Sequence, residues 1–93
     1  MSPMTVSVSP NPSSAPLEIR FAIPEPTSDV CISVYDVGGR LIRRLAAGTV
    51  GAEDCVITWD QLDQEGDSVP AGIYFVVLQA GGDAVAEKAV LMR

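Results

Sequence analysis

Trp59-Asp60-Gln61-Leu62-Asp63-Gln64-Glu65-Gly66-Asp67-Ser68-Val69-Pro70-Ala71-Gly72-Ile73-Tyr74 runs from the only tryptophan of the chain to a tyrosine that opens its most apolar run. Four acids, two glycines and one proline separate the two rings. That composition reads as strand, long acidic turn, strand. An aromatic ring at each end can bury against one core while the polar middle stays in water.

The flanks extend the pattern. Before the turn, Cys55-Val56-Ile57-Thr58-Trp59 reads as a strand. After it, Ile73 to Gln79 is continuously apolar up to its last residue, Gly81-Gly82-Asp83 makes a hairpin turn, and Ala84 to Met92 forms the last strand. Toward the N-terminus, Val30 to Asp36 alternates with Val30, Ile32 and Val34 inward, and Gly38-Gly39 turns the chain back into Arg40 to Leu45. There the period breaks, because Ile42 and Leu45 stand three apart. A bulge or an edge strand that peels away explains it, and a short helical turn ended by Gly48 is the alternative. Ala46 to Glu53 reads as a loop. Leu17, Ile19, Phe21 and Ile23 alternate inward, between the breakers of Pro10 to Pro16 and those of Pro24 to Ser28. Thr5 to Ser9 is a first strand. Seven short strands at roughly 8–12-residue spacing, with turn signals between them, predict an all-β antiparallel sandwich of two sheets.

The length of 93 residues suits one domain, read as residues 5–93 behind a leader of residues 1–4. A chain this short buries only about 60–65% of its unfolded surface, which leaves little room for a deep catalytic cavity. Its apolar content is high for that size, which points to apolar surface facing a partner. The net charge of −6 argues against nucleic acid and anionic membrane. The one basic cluster, Arg40, Arg43 and Arg44, is small. No run approaches the roughly 18 apolar residues of a membrane span. Met1-Ser2-Pro3-Met4 lacks the pattern of a signal peptide, so an exported form is expected to carry its signal elsewhere.

By alternation Cys31 opposes Val30, Ile32 and Val34, whereas Cys55 shares a side with Ile57 and Trp59. Sulfurs on different faces cannot meet, so two unpaired cysteines are expected.

Ser9-Pro10-Asn11-Pro12, Ile19-Arg20-Phe21 to Pro24, Val34-Tyr35-Asp36-Val37-Gly38-Gly39-Arg40 to Leu45, Trp59-Asp60, Asp63, Gly66, Ala71-Gly72-Ile73-Tyr74-Phe75 and Lys88-Ala89-Val90-Leu91-Met92-Arg93 follow in that order. Together they resemble a bacterial Ig-like module. It is known from the flagellar hook-capping protein and from C-terminal sorting domains of proteins exported by the type IX secretion system. The resemblance spans about residues 8 to 93. It implies a seven-stranded Ig-like, fibronectin III-like β-sandwich. It also implies a non-catalytic domain of a larger secreted protein, outside the cell or at the surface of a bacterium. Two departures stand out. Gln61 occupies the glycine position of the family's Trp-Asp-Gly, so the turn need not take a positive φ there. Val77 stands where the family often has a polar, commonly basic residue, which leaves the outer face of this strand unusually apolar.

No chemistry demands a reaction. The chain has no histidine, no Gly-x-Ser-x-Gly elbow and no phosphate-loop sequence after its glycine pairs. Asp60, Asp63, Glu65 and Asp67 offer oxygen ligands at a density that can hold Ca²⁺, but their spacing is not that of an EF-hand, and a hydrated turn uses the same residues. No other cofactor is expected. Trp59 and Tyr74 can form a sugar-stacking platform, yet both sit at inward parity, and Ig-like folds place a core tyrosine where Tyr74 stands. Tyr35 is outward, one ring only.

The sharper feature is an outer stripe. If Tyr74, Val76 and Leu78 point inward, then Ile73, Phe75 and Val77 point outward. The last strand adds Val90 and Met92, and the third adds Tyr35. Covering about 300 Å² of such a stripe is worth roughly 7 kcal/mol before association costs. A bulge that swaps the two sets, or a loop laid over the face, would remove it. The expected function is sorting or attachment by protein–protein contact through this face, with Arg40, Arg43 and Arg44 at its rim. The partner would be secretion or surface machinery, a neighbouring domain or a second copy. A self-assembling structural subunit and a carbohydrate-binding accessory domain are the alternatives.

Overall fold

The structure, a computed structural model, describes residues 4–12, 16–23, 27–50 and 55–92, with the side chains of 27–29 and 46–50 left aside. Seven strands run in order: β1 (Thr5–Ser9), β2 (Leu17–Ala22), β3 (Thr27–Asp36), β4 (Leu41–Val50), β5 (Cys55–Trp59), β6 (Gly72–Ala80) and β7 (Asp83–Leu91). Among the described residues there is no helix, and so none long and apolar enough to cross a membrane. The strands form a three-stranded sheet, β1-β2-β5, and a four-stranded sheet, β4-β3-β6-β7, with every pairing antiparallel. This is the fibronectin III-like arrangement of an Ig-like sandwich.

The core follows from the alternation. Leu17, Ile19 and Phe21 of β2 face Val30, Ile32 and Val34 of β3 and Tyr74, Val76 and Leu78 of β6 across the space between the sheets, and Trp59, Ala89 and Leu91 complete it. The charged neighbours Glu18 and Arg20 point to solvent, where they pair with each other at 3.0 Å. Met4, Val6, Val8, Cys55 and Ile57 close the flanks of the core. Cys31 and Cys55 lie on different sheets and are not joined by a disulfide, as their opposed parity predicts.

The β3–β4 hairpin departs from the sequence reading. Residues 46–50 continue β4 rather than forming a loop or a helical turn, and β3 begins at Thr27 inside the expected Pro24–Ser28 turn. The pairs Thr27↔Val50, Val30↔Gly48, Cys31↔Ala47 and Ile32↔Ala46 carry the ladder through this small-residue stretch. Alanine and glycine carry little strand signal of their own, and pairing with an apolar partner strand overrides that. The period break is a bulge, as expected: the register shifts between Ile32 and Ser33 and again between Val34 and Tyr35. Ile42 is thereby buried and Leu45 packs on the core. Pro24 to Pro26 and residues 51–54 of the expected turn and loop lie outside the described residues, as do 1–3 and Arg93.

Candidate functional site

The four-stranded sheet has one face in the core and one face outward. Cross-strand pairs place Leu41, Tyr35, Phe75 and Lys88 in one row of the outward face, and Arg44, Ser33, Val77 and Ala86 in the next. Ile73 and Val90 pair beyond the first row. Tyr35, Phe75, Val77 and Val90 are half-buried; Ile73 is 42% exposed and Leu41 38%. Met92 follows just past β7 and is 47% exposed. The expected stripe is therefore assembled on one face, with the parity the sequence implied.

Ser33 sits at the middle of this face and is nonetheless 1% exposed. It is a small residue among taller ones, and the Sγ of Cys31 lies 3.3 Å from its Oγ. Leu41 joins this face beyond the residues that strand parity picks out. The bulges hide the phase of β4, but the short turn through Gly38 and Gly39, which directs Leu41 against Tyr35, is a signal that can find it.

The three arginines separate. Arg44 lies on the outward face, paired with Ser33. Arg43 does not reach that rim: the register shift pairs it with inward Val34, and its Nη1 donates to Asp60 Oδ1 and to the Leu62 carbonyl, both at 3.1 Å. Arg40 belongs to the β3–β4 turn, where its Nε lies 3.3 Å from Asp36 Oδ2. In the same turn Asp36 Oδ1 accepts from the backbone N–H groups of Gly38 and Arg40, both at 2.9 Å. The Arg40 N–H is the main cause that holds the Asp36 carboxyl below the ordinary aspartate range; desolvation opposes it, and the Gly38 N–H and the Arg40 guanidinium add to the lowering.

The acidic turn also separates. Asp63, Glu65 and Asp67 bring carboxylate oxygens within 4.8 Å of one another, whereas Asp60 is engaged with Arg43 and with the Leu62 N–H. Asp63 Oδ1 accepts from the N–H groups of Glu65 and Asp67, both at 3.0 Å, so it folds the turn as an Asx residue does. Gln61 takes φ +64° and is buried, so the turn keeps a positive φ at a position where the absence of glycine does not require one. Its neighbours impose the conformation: Trp59 Nε1 donates to Leu62 O at 3.0 Å, and Val69 N to Gln61 O at 3.0 Å. Trp59 and Tyr74 meet edge to face at 5.9 Å inside the core, and Tyr74 Oη donates to Pro70 O at 2.7 Å. Neither ring is presented as a platform for a sugar.

Two loops engage the backbone edges of this sheet. On β7, Asn11 Nδ2 donates to Lys88 O at 2.8 Å and Asn11 Oδ1 accepts from Val90 N at 2.9 Å. On β4, Gln64 N donates to Ile42 O at 3.1 Å and Gln64 Oε1 accepts from Arg44 N at 3.0 Å. In each case a carboxamide side chain stands in for part of a neighbouring strand. Sequence reading placed Asn11 and Gln64 in turns and assigned them no such task.

Comparison with known proteins agrees with this architecture. The FlgD Ig-like domain family matches residues 5–84. No curated protein matches the sequence. Among solved structures, FlgD of P. aeruginosa is 23% identical, with a TM-score of 0.69 over 91% of this chain and 71% of that one. Dimeric latent PorU of Porphyromonas gingivalis is 23% identical, with a TM-score of 0.73 over 99% of this chain. PorZ of the same organism, an essential bacterial surface component of the type-IX secretion system, is 18% identical, with a TM-score of 0.62 over 95% of this chain. This chain spans 10% of PorU and 11% of PorZ. Likeness at these identities is a likeness of fold.

Proposed function

This chain belongs to the FlgD Ig-like domain family, and we propose that it is a non-catalytic sorting or attachment module of a bacterial secretion or surface protein, acting by protein–protein contact through the outer face of β4-β3-β6-β7. The carrying observation is the assembled stripe of Tyr35, Phe75, Val77, Ile73 and Val90 on the face turned away from the three-stranded sheet. A sandwich needs one apolar face per sheet; a second one on the same sheet serves contact rather than the fold. The occurrence of this fold as about a tenth of PorU and of PorZ supports a module within a longer chain.

Fusion of residues 4–93 behind a secreted reporter, in a bacterium with type IX machinery, tests the reading. Export and surface retention of the wild-type fusion are expected, with retention lost in a folded Phe75→Glu fusion. A reporter that never leaves the cell, or a Phe75→Glu fusion retained like wild type, overturns it.

A further inference from the structure

The outward face has a charge of its own sign. The chain carries six Lys and Arg against twelve Asp and Glu. Arg20, Arg40 and Arg43 are paired with carboxylates. Arg44 and Lys88 are the described cations in no ion pair, and both belong to the outward face, on β4 and β7. Within the strands of this sheet, the described carboxylates Asp36, Asp83 and Glu87 pair with the inward residues Tyr74, Ala80 and Val76; Asp63 and Glu65 stand off the sheet, in the turn beside Arg40 and Leu41 at the β4 edge. An acidic domain thus presents one apolar stripe bracketed by two unpaired positive charges.

Resting on the contact reading above, we infer that the occupant of this face is an acidic, extended segment of another protein, with an apolar side chain between two carboxylates. The spacing supports it. Arg44 and Lys88 lie three strands apart and one row apart, which is about 16 Å between their backbones from ordinary strand spacings. In an extended segment, residues i and i+4 share a face and stand about 13–14 Å apart, and side-chain reach covers the difference. The residue between them, at i+2, meets Phe75 and Val77. A second copy fits this face poorly, because two such faces bring like charges together on chains that each carry −6. Long-range attraction between the cations and an acidic partner also raises the association rate at low salt.

The test uses three capped pentapeptides, Glu-Thr-Phe-Thr-Glu, Gln-Thr-Phe-Thr-Gln and Lys-Thr-Phe-Thr-Lys, titrated to millimolar concentration against the isotopically labelled chain. The expected result is movement of the backbone amides of Ser33, Tyr35, Phe75 and Val77 with the glutamate peptide. Its affinity should be at least about tenfold above that of the lysine peptide and weaken as salt is added. In Arg44→Glu/Lys88→Glu the preference reverses, a gain of binding that misfolding cannot mimic. Equal binding of the glutamate and glutamine peptides overturns the inference and leaves the contact reading standing. Absence of shifts on this face with every peptide also overturns it, while the export experiment with Phe75→Glu separately decides the contact reading. Concentration-dependent line broadening of the same amides without peptide would assign the face to a second copy and overturn the acidic segment.

Discussion

The Tyr74 hydroxyl donates to the Pro70 carbonyl near the start of β6, while its ring packs edge-on against Trp59. Tyr74→Phe keeps the ring and removes the bond, so it is expected to lower stability by about 1 kcal/mol. Urea unfolding followed by the fluorescence of Trp59, the only tryptophan, measures it directly. Asp36 offers a pH-dependent counterpart. Its folded pKa is depressed, so its contribution is present above the ordinary aspartate value and is lost as pH falls through the lower folded one. Asp36→Asn is therefore expected to be less stable than wild type at neutral pH, with the gap closing below about pH 4. A gap that persists unchanged into acid would assign the effect to shape rather than charge. The residue scale is also where sequence reading fell short. Gln61 looked free to avoid a positive φ because it is not glycine, yet the bonds from Trp59 and Val69 fix the backbone around it. Long-range partners, not local preference, set that angle.

At the scale of elements, the strands with clean alternation were legible. β2, β3 and β6 alternate or run apolar, and their inward residues are the core. The far half of β4 was not, since Ala46 to Val50 carries no alternating apolar signal and owes its strand to pairing with β3. The edge bonds were equally invisible, because Asn11 meets Lys88 and Val90 from 77 and 79 residues away. Exposed edges invite pairing with other chains, and a carboxamide that occupies the edge blocks it. Asn11→Ala should lose about 1–2 kcal/mol, from two hydrogen bonds, and leave the Val90 N–H and Lys88 carbonyl open. Sedimentation across a wide concentration range should then show self-association that wild type lacks. A monomeric Asn11→Ala would mean that β7 is protected by something else.

For the whole molecule, two apolar surfaces share one sheet, and they should answer mutation differently. The inward one holds the sandwich together. Leu78 is fully buried between the sheets, so Leu78→Ala is expected to cost about 3 kcal/mol. The outward one was legible from strand parity, but its rim was not. The sequence groups Arg40, Arg43 and Arg44, whereas the fold sends one to a turn, one to Asp60 and only Arg44 to the face. Lys88 joins it from the far end of the chain. Charge distribution over a surface is a property of topology, and no local reading of three neighbouring arginines contains it.

On the contact reading proposed above, the outer stripe exists for contact and not for folding. The most direct measurement is the urea unfolding free energy of Phe75→Glu beside that of wild type. Phe75 lies on the outward face opposite Tyr35 and Lys88, where a glutamate can reach solvent and the lysine. A loss of about 1 kcal/mol or less is expected, with the unfolding slope unchanged. A loss of about 3 kcal/mol or more, comparable to Leu78→Ala, would place Phe75 among the residues that hold the domain together and would contradict the claim.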